Sequence, residues 1–540
     1  MNLDRLLDPS TAVALQTAWL LDAIAPVSEP GRRSEADLLL FKPGEEGEAR
    51  TRLREIYDMA WSVDAAHVDA MRDALRTLPD PVPAISRAAM GGVLEDAQFL
   101  ELMRFLDAVK RIDATMEAAG QSARLLDEKS QAVASVLEHG RAGKFGFYLA
   151  DRFDGSLANA RSQGDKAQAE FESARGRLAQ RVAAALERED LVSGEFIVMR
   201  DAIRNLPEGI RVIREAPTYY LCELDLDDDA LEALRRRDAA AEAVAAAEEA
   251  VRGHLSQAIR AQAQPLERLA EAVGEFDVLL ARVRFTQQQE CVVPEIVQES
   301  VVSFRDGRYL PLEAELEAQA RPYEPISIEL LDISVLTGPN MGGKSAALRT
   351  CGFIAALAAM GIPVPAKSAR CGLFEEIAWL GIGMQEDAGG LLSSFAREVV
   401  RLKDILARPA KRMLVLIDEF ARTTTPHEGK ALLVALARGL RRRGRLAFIA
   451  THLGGVAVDA GARHFAVRGL RDVPKSAPAG DLRAALAALA ESMDYSVAQV
   501  GDGADLHGDA IALAHLLGLD DEFVAEAAAA LSEKDTEWTR

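Results

Sequence analysis

Aromatic side chains are scarce in this chain, 5% of its 540 residues, and cysteine is scarcer still, with four in all. Cys222, Cys291, Cys351 and Cys371 show no C-x-x-C spacing. Neither a zinc site nor a disulfide framework is indicated, and a reducing cytoplasm is the expected location. Only eight histidines are present and they show no pairing, which leaves Ser–His–Asp chemistry without support. Long apolar runs are missing as well. The run Thr11 to Ala25 contains Gln16 and Asp22 and is too short to span a bilayer, and no basic leader precedes an apolar core. No signal peptide, transmembrane helix or membrane partner is expected. Positive charge is in deficit: 63 Lys and Arg against 84 Asp and Glu give a net charge of −21. That excludes a general nucleic-acid coat, because nonspecific affinity comes from neutralising phosphates, but it leaves room for a local basic face.

Alanine is abundant, which favours helix. The length implies about two to four domains. Within it, Thr337-Gly338-Pro339-Asn340-Met341-Gly342-Gly343-Lys344-Ser345 fits G-x-x-x-x-G-K-[ST], the phosphate-binding loop or Walker A motif. The apolar run Ile333 to Leu336 before it reads as a buried strand. Leu348, Ile354, Ala355 and Leu357 after it fall near helical spacing. Strand, glycine turn and helix N-terminus are the context that such a loop needs. Backbone N–H groups and the helix end crowd around phosphate oxygens. Lys344 would reach the β- and γ-phosphates of ATP, and the Ser345 hydroxyl would ligate Mg²⁺.

Upstream, residues 1–35 hold one helix before Pro26, Pro30 and Gly31. Blocks 48–75 and 95–138 are helix-rich, separated by Leu78-Pro79-Asp80-Pro81-Val82-Pro83 and Gly91-Gly92. Leu100, Met103, Leu106, Val109 and Ile112 form one apolar stripe. Residues 155–190 read as a single long helix, with a seam of Phe171, Ala174, Leu178, Val182 and Ala185. Three short strands follow, around Glu195–Met199, Ile210–Ile213 and Tyr219–Cys222. After the acidic run Asp225 to Asp229, read as a solvated cap, helix returns from Leu231 to about Val283. A small β-rich head at the end of two long helices is expected: a lever. Val301 to Leu312 reads as β-like and turn-containing. Met413–Ile417 and Leu446–Ala450 are apolar strands separated by a helical run, and this alternation predicts a parallel sheet.

The strand Met413–Ile417 ends in Asp418-Glu419. Asp418 would hold Mg²⁺, and Glu419 would orient and deprotonate the attacking water. The strand Leu446–Ala450 ends in Thr451-His452, where the histidine can bond the γ-phosphate or the water and sense ATP.

These stretches carry a resemblance. TGPNMGGKS, from Thr337 to Ser345, resembles the phosphate loop of the MutS family of ATPases, and DEFARTTTPHEG, from Asp418 to Gly429, resembles that family's Walker B and signature region. Ser393-Ser394-Phe395-Ala396-Arg397-Glu398 is similar to its S-T-F-x-x-E segment, Val364-Pro365-Ala366 to its V-P-A, and Asp306-Gly307-Arg308 to its E-G-R-H-P. The run from Gly508 through Leu519 to Ala527 resembles the helical ending of its ATPase domain. The likeness is clear over about 300–530 and looser over 40–290.

The resemblance implies an α/β P-loop NTPase domain, ABC-ATPase-like with a mostly parallel sheet, at 291–540, ending in a helical dimerisation segment. An all-α lever and core domain would occupy 36–290, with a clamp-like insertion at about 192–228, after the helical segment 1–35. It implies a homodimer with composite ATP sites. Lys344, Ser345, Asp418, Glu419 and His452 would act from one subunit, Ser393 and Ser394 would reach the partner's γ-phosphate, and Tyr323 would stack on adenine. A short form is expected, lacking the mismatch-recognition domain and any Smr domain. Phe99-Leu100-Glu101 matches the letters of the F-x-E wedge but lies inside a helical stripe, and Ala421 and Thr423 stand where the family usually has glycines. DNA is the expected client, duplex or branched, with the basic runs Arg235–Arg237 and Arg441–Arg443 as candidate contacts. The alternatives are an ATP-driven remodeller of a protein partner, such as a cobalamin-dependent aminomutase, and a ribosome-associated factor.

Overall fold

The computed structural model describes residues 3–36, 40–122, 124–143, 146–189, 191, 194–201, 203, 205–339, 343–381, 394–470, 493–501, 511 and 519–537. The chain forms two compact units. The first comprises Met1–Arg76, Thr115–Ser122 and Val273–Arg540; the second comprises Thr77–Ala114 and Ala123–Ala272. This division differs from the expected boundaries at 36 and 290. Leu3, Leu7, Leu15, Leu20, Leu40, Leu53 and Phe285 are buried in the same apolar core as Leu348, Ile354 and Leu357, so the N-terminal segment folds with the phosphate-loop region.

The first unit is built on a six-stranded sheet, ordered Glu376–Gly381, Met413–Asp418, Leu446–Ala450, Ser334–Thr337, Arg463–Leu470, Met493–Gln499. All neighbours are parallel except the last pair. The central strands read as continuous apolar runs because both faces are covered. Leu414, Leu416 and Phe448 point to the side of the phosphate-loop helix Lys344–Ala359, while Val415, Ile417 and Ile449 pack with Leu433, Leu436 and Leu440 of helix Pro426–Arg442. A second sheet joins Glu295–Val297, Ser368–Gly372, Val302–Gly307 and Ile326–Leu330. The segment read as β-like over Val301–Leu312 divides into the strand Val302–Gly307 and a helix, Leu310–Ala318, in which Pro311 takes a first-turn position that needs no N–H. The one helix expected in 1–35 is three short ones, Pro9–Ala14, Thr17–Ala23 and Glu29–Ala36.

In the second unit, the stripe of helix Asp96–Ala118 is core at Met103, Leu106, Val109 and Ile112, while Leu100 is only half-buried. Phe99, Leu102, Leu106, Val109 and Ile112 are fully buried, which places Phe99 in packing rather than at a wedge. Helices Gly155–Ala185 and Asp228–Ala261, of 31 and 34 residues, run as a long pair of about 50 Å. Phe171 and Ala174 meet Ala230 and Ala233 along the seam, and burial ends at Val182–Ala183, short of Ala185. The helical return breaks at Gln262 before helix Ala263–Gln288 begins. The acidic run is a cap: the Asp227 carboxylate accepts the Ala230 N–H at 2.9 Å and pairs with Arg181. The head is a three-stranded antiparallel sheet ordered Phe196–Met199, Tyr219–Leu224, Ile210–Glu215. Its inner face buries Phe196, Val198 and Cys222 on Leu178 and Val182; Ile197, Met199 and Ile213 are exposed. Among the described residues no helix is long and apolar enough to cross a membrane, and all four cysteines are buried free thiols.

Candidate functional site

The strand Ser334–Thr337 delivers the phosphate loop to the carboxyl edge of the sheet, where ligands bind in parallel α/β folds. Gly338 has φ +153° and a Cβ there would sit 3.0 Å from Val467 Cβ; Gly343 has φ +84° and caps the helix beginning at Lys344. Both conformations disfavour a side chain. Asn340, Met341 and Gly342 lie outside the described residues. The loop closes on its own lysine: Lys344 Nζ is buried and donates to the carbonyls of Gly338 and Pro339, each at 3.0 Å. The same Nζ lies 3.4 Å from Glu419 Oε1.

Two helical and strand ends converge beside it. Ser345 Oγ donates to Asp418 Oδ2 at 2.7 Å, while Asp418 Oδ1 is buried with no hydrogen-bond partner. Burial pushes the Asp418 carboxyl above its ordinary range; the Ser345 bond opposes the shift and the Glu419 charge adds to it. A buried carboxylate oxygen without a partner, next to a serine hydroxyl at a helix N-terminus, is what a bound divalent cation would satisfy. No group of three His, Cys, Asp or Glu among the described residues forms a metal cage. Mg²⁺ needs none, since it binds through one or two protein oxygens together with substrate phosphates and water. Glu419 takes φ +53°, its N–H donates to Ala450 O at 3.0 Å, and its Oε2 lies 3.4 Å from Arg422. The strand Leu446–Ala450 stands between those of Asp418 and the phosphate loop. Thr451 N–H donates to Leu336 O at 2.9 Å, and His452 follows, exposed, on this sheet edge.

Residues 334–533 match the family model of MutS domain V. The Endonuclease MutS2 of Pelotomaculum thermopropionicum is 32% identical over 204 residues, 37% of this chain and 25% of the relative. The DNA mismatch repair protein MutS of Granulibacter bethesdensis is 28% identical over 408 residues, 71% of this chain and 43% of the relative. Residues 334–533 thus belong to the MutS domain V family. The matched stretches span less than half the length of these relatives.

The other residues expected in a MutS-type site divide in two. Ser393 and the side chain of Ser394 lie outside what is described; helix Ser394–Ala407 starts there. Tyr323 packs against the core, and its hydroxyl accepts the Tyr309 N–H at 2.8 Å and bonds Thr350 on the phosphate-loop helix. Sequence reasoning passed over three neighbours of the site. The Tyr495 ring is the one at the loop itself: a Cβ on Gly343 would lie 3.2 Å from its Cδ1. Arg349, one turn beyond Ser345, lies with its guanidinium 5.8 Å from the Trp379 ring, and its charge favours ionised Asp418. Glu398 Oε2 accepts the N–H of Ala421 at 2.9 Å. Only Glu398 had a signal, as the last letter of the S-T-F-x-x-E segment. Tyr495 reaches the loop across an antiparallel pairing that no local pattern announces.

Proposed function

We propose that this chain binds and hydrolyses ATP with Mg²⁺, and that the nucleotide state works the long helix pair and its head. The observation that carries the reading is the cluster of Lys344, Ser345, Asp418 and Glu419, with one Asp418 oxygen buried and unpartnered. Backbone N–H groups of the loop Gly338 to Gly343, other than at Pro339, would cradle the phosphates, and Lys344 would exchange its carbonyl contacts for phosphate oxygens. Ser345 and Asp418 would hold the metal, whose charge offsets that of the β- and γ-phosphates. Glu419 would leave Lys344 to orient and deprotonate water, and His452 would sense the γ-phosphate. Tyr323 is the adenine contact implied by the family, with Tyr495 beside the loop. In a homodimer Ser393 and Ser394 would complete the partner's site. ATP shifts the position of the arms only by its differential affinity for the two arrangements.

For the client, DNA gripped by shape and phosphate contacts is the first reading, supported by likeness to a relative named for DNA mismatch repair over 71% of this chain. A protein client is favoured by the head. Its outer sheet face shows Ile197, Met199 and Ile213, and two of its arginines are paired, Arg200 with Glu215 and Arg211 with Glu223. Within the two basic runs, Arg236 lies near Glu170, Arg237 pairs with Asp238, and Arg441 pairs with Asp332. Lys344→Ala should abolish ATP retention and phosphate release, and survival of both at wild-type level overturns the ATPase. An ATP-dependent pull-down with and without nuclease separates the clients: nuclease-sensitive retention that falls steeply with salt supports DNA, and salt-insensitive capture of one protein supports the second reading.

A further inference from the structure

The N-terminal segment is bolted to the catalytic half through one carboxylate. Residues Leu6 and Leu7 lie along the edge strand Glu376–Gly381: Ile377 N–H donates to Leu6 O at 2.8 Å, and Leu7 pairs with Ile377 in parallel. Asp8 then caps helix Pro9–Ala14, accepting the Thr11 N–H at 3.0 Å. Thr11 Oγ1 in turn accepts the Trp379 N–H at 2.9 Å. The second Asp8 oxygen, Oδ2, receives Arg401 at 2.5 Å and Arg408 at 2.9 Å; Asp8 is 17% exposed and Arg401 12%. Arg401 lies in helix Ser394–Ala407 and Arg408 just past its end. A further carboxylate, Glu376 on the edge strand, holds Arg408 at 3.2 Å.

That helix has a second attachment one turn earlier. Glu398 Oε2 accepts the Ala421 N–H at 2.9 Å. Ala421 has φ +62° and Glu419 φ +53°, two non-glycine residues in the left-handed region within one short turn. Such a turn is disfavoured for residues that carry a Cβ and persists only where its surroundings hold it. Glu398 is one of those holds, and Glu398 is only as fixed as the helix that carries it.

We infer that Asp8 is a positioning residue for ATP hydrolysis: through Arg401 and Arg408 it fixes helix Ser394–Ala407, through which Glu398 holds the Ala421 turn and thereby aims Glu419. The inference rests on the proposed ATPase. Asp8 and Arg401 bond Thr11, Trp379 and Arg408 and are not among the residues of the proposed ATP cluster, so the effect should fall on the chemical step rather than on ATP capture. Asn at position 8 keeps an N-cap acceptor for Thr11 but drops the charge that holds the two arginines.

The test uses the full chain with Asp8→Asn, Arg401→Met and the double variant. The readouts are turnover at saturating ATP, KM for ATP, and amide hydrogen exchange at Ala421 without nucleotide. Each single variant should lower kcat roughly tenfold with KM changed less than about twofold, since misplacing a catalytic group costs rate rather than uniform binding. Exchange at Ala421 should rise in both, the double variant should be no worse than either single, and Asp8→Glu should recover part of the rate. Arg401→Met leaves the helix cap intact and carries the same readouts if Asp8→Asn does not fold. A fall in melting temperature with unchanged kcat and unchanged exchange at Ala421 overturns the inference and leaves Asp8 a purely structural anchor. If the wild-type chain shows no Lys344-dependent hydrolysis, the ATPase reading fails, and exchange at Ala421 still decides whether Asp8 controls the turn.

Discussion

Asp418 is a residue whose function and stability pull apart. Burial raises its pKa, so the ionised form is disfavoured in the fold, yet the proposed role in holding Mg²⁺ needs that form. A carboxyl with a raised folded pKa contributes most to stability below its unfolded pKa and loses that contribution as pH rises through the folded value. When Asp418 is ionised, the nucleotide-free protein carries a buried charge with one oxygen unpartnered. Asp418→Asn should raise the melting temperature of the nucleotide-free protein, by on the order of 1 kcal/mol in stability, while removing Mg²⁺-dependent nucleotide binding. The gain should shrink as the pH is lowered, and a melting temperature below wild type at neutral pH refutes it. Glu419 poses a different question because it is paired to Lys344 in this state. Glu419→Gln should retain ATP but hydrolyse it about 10²–10⁴ times more slowly, the usual worth of a general base. Single-turnover kinetics with labelled ATP measure this, and near-normal hydrolysis would assign the base elsewhere.

Among elements, the N-terminal segment and the head respond to opposite stresses. The Asp8 carboxyl lies below the usual range: burial pushes it up, and the bonds from Arg401, Thr11 and Arg408 together outweigh burial. A lowered pKa means stability that is present above the unfolded carboxylate range and is lost as pH falls through the folded value. Acidification should therefore free this segment, and protection of the Ile377 amide, bonded to Leu6 O, should drop with pH once intrinsic exchange is corrected. Protection that stays constant below the carboxylate range rejects this. The head carries ion pairs within its own strands, Arg200 with Glu215 and Arg211 with Glu223, and rests on a small apolar cluster of Leu178, Val182, Phe196, Val198 and Cys222. Phe196→Ala should cost about 3–5 kcal/mol and open the head locally. Exchange in 196–224 should rise while ATP retention is unchanged; loss of ATP retention would contradict it. The contrast also explains what was legible in the sequence. Long seams, alternating strands and the phosphate loop are local patterns, and their spacing alone places Phe171, Leu178, Lys344 and Asp418. The helix at Leu310–Ala318 and the docking of Asp8 depend on partners hundreds of residues away, Gln16 for Tyr309 and Arg401 for Asp8, so no window along the chain contains the cause.

At the scale of the whole molecule, the proposed composite site requires a partner over the carboxyl edge of the sheet. Helix Ser394–Ala407 turns Glu398, Arg401, Leu402 and Ile405 inward, to Ala421, to Asp8 and to the core. The intervening residues Val399 and Val400 are left outward at 42% and 49% exposure, and Leu432 on helix Pro426–Arg442 is exposed at 40%. These are apolar groups on two helices that begin at the same sheet edge as the site, where a partner in a composite site would cover them. A second copy of this chain, arriving with Ser393 and Ser394 toward the γ-phosphate, is the occupant consistent with a composite site. Binding energy from ATP would then be shared between two subunits, so association should depend on nucleotide and persist while hydrolysis is blocked. Glu419→Gln should sediment as a dimer with ATP and Mg²⁺ and as a monomer without them. Adding Val400→Asp should cost the dimer, since an unpaired charge in the contact loses its water, while each subunit still retains ATP through Lys344 and Ser345. A Glu419→Gln protein that holds ATP yet stays monomeric would refute the shared site, and a dimer indifferent to nucleotide would move the association to another surface.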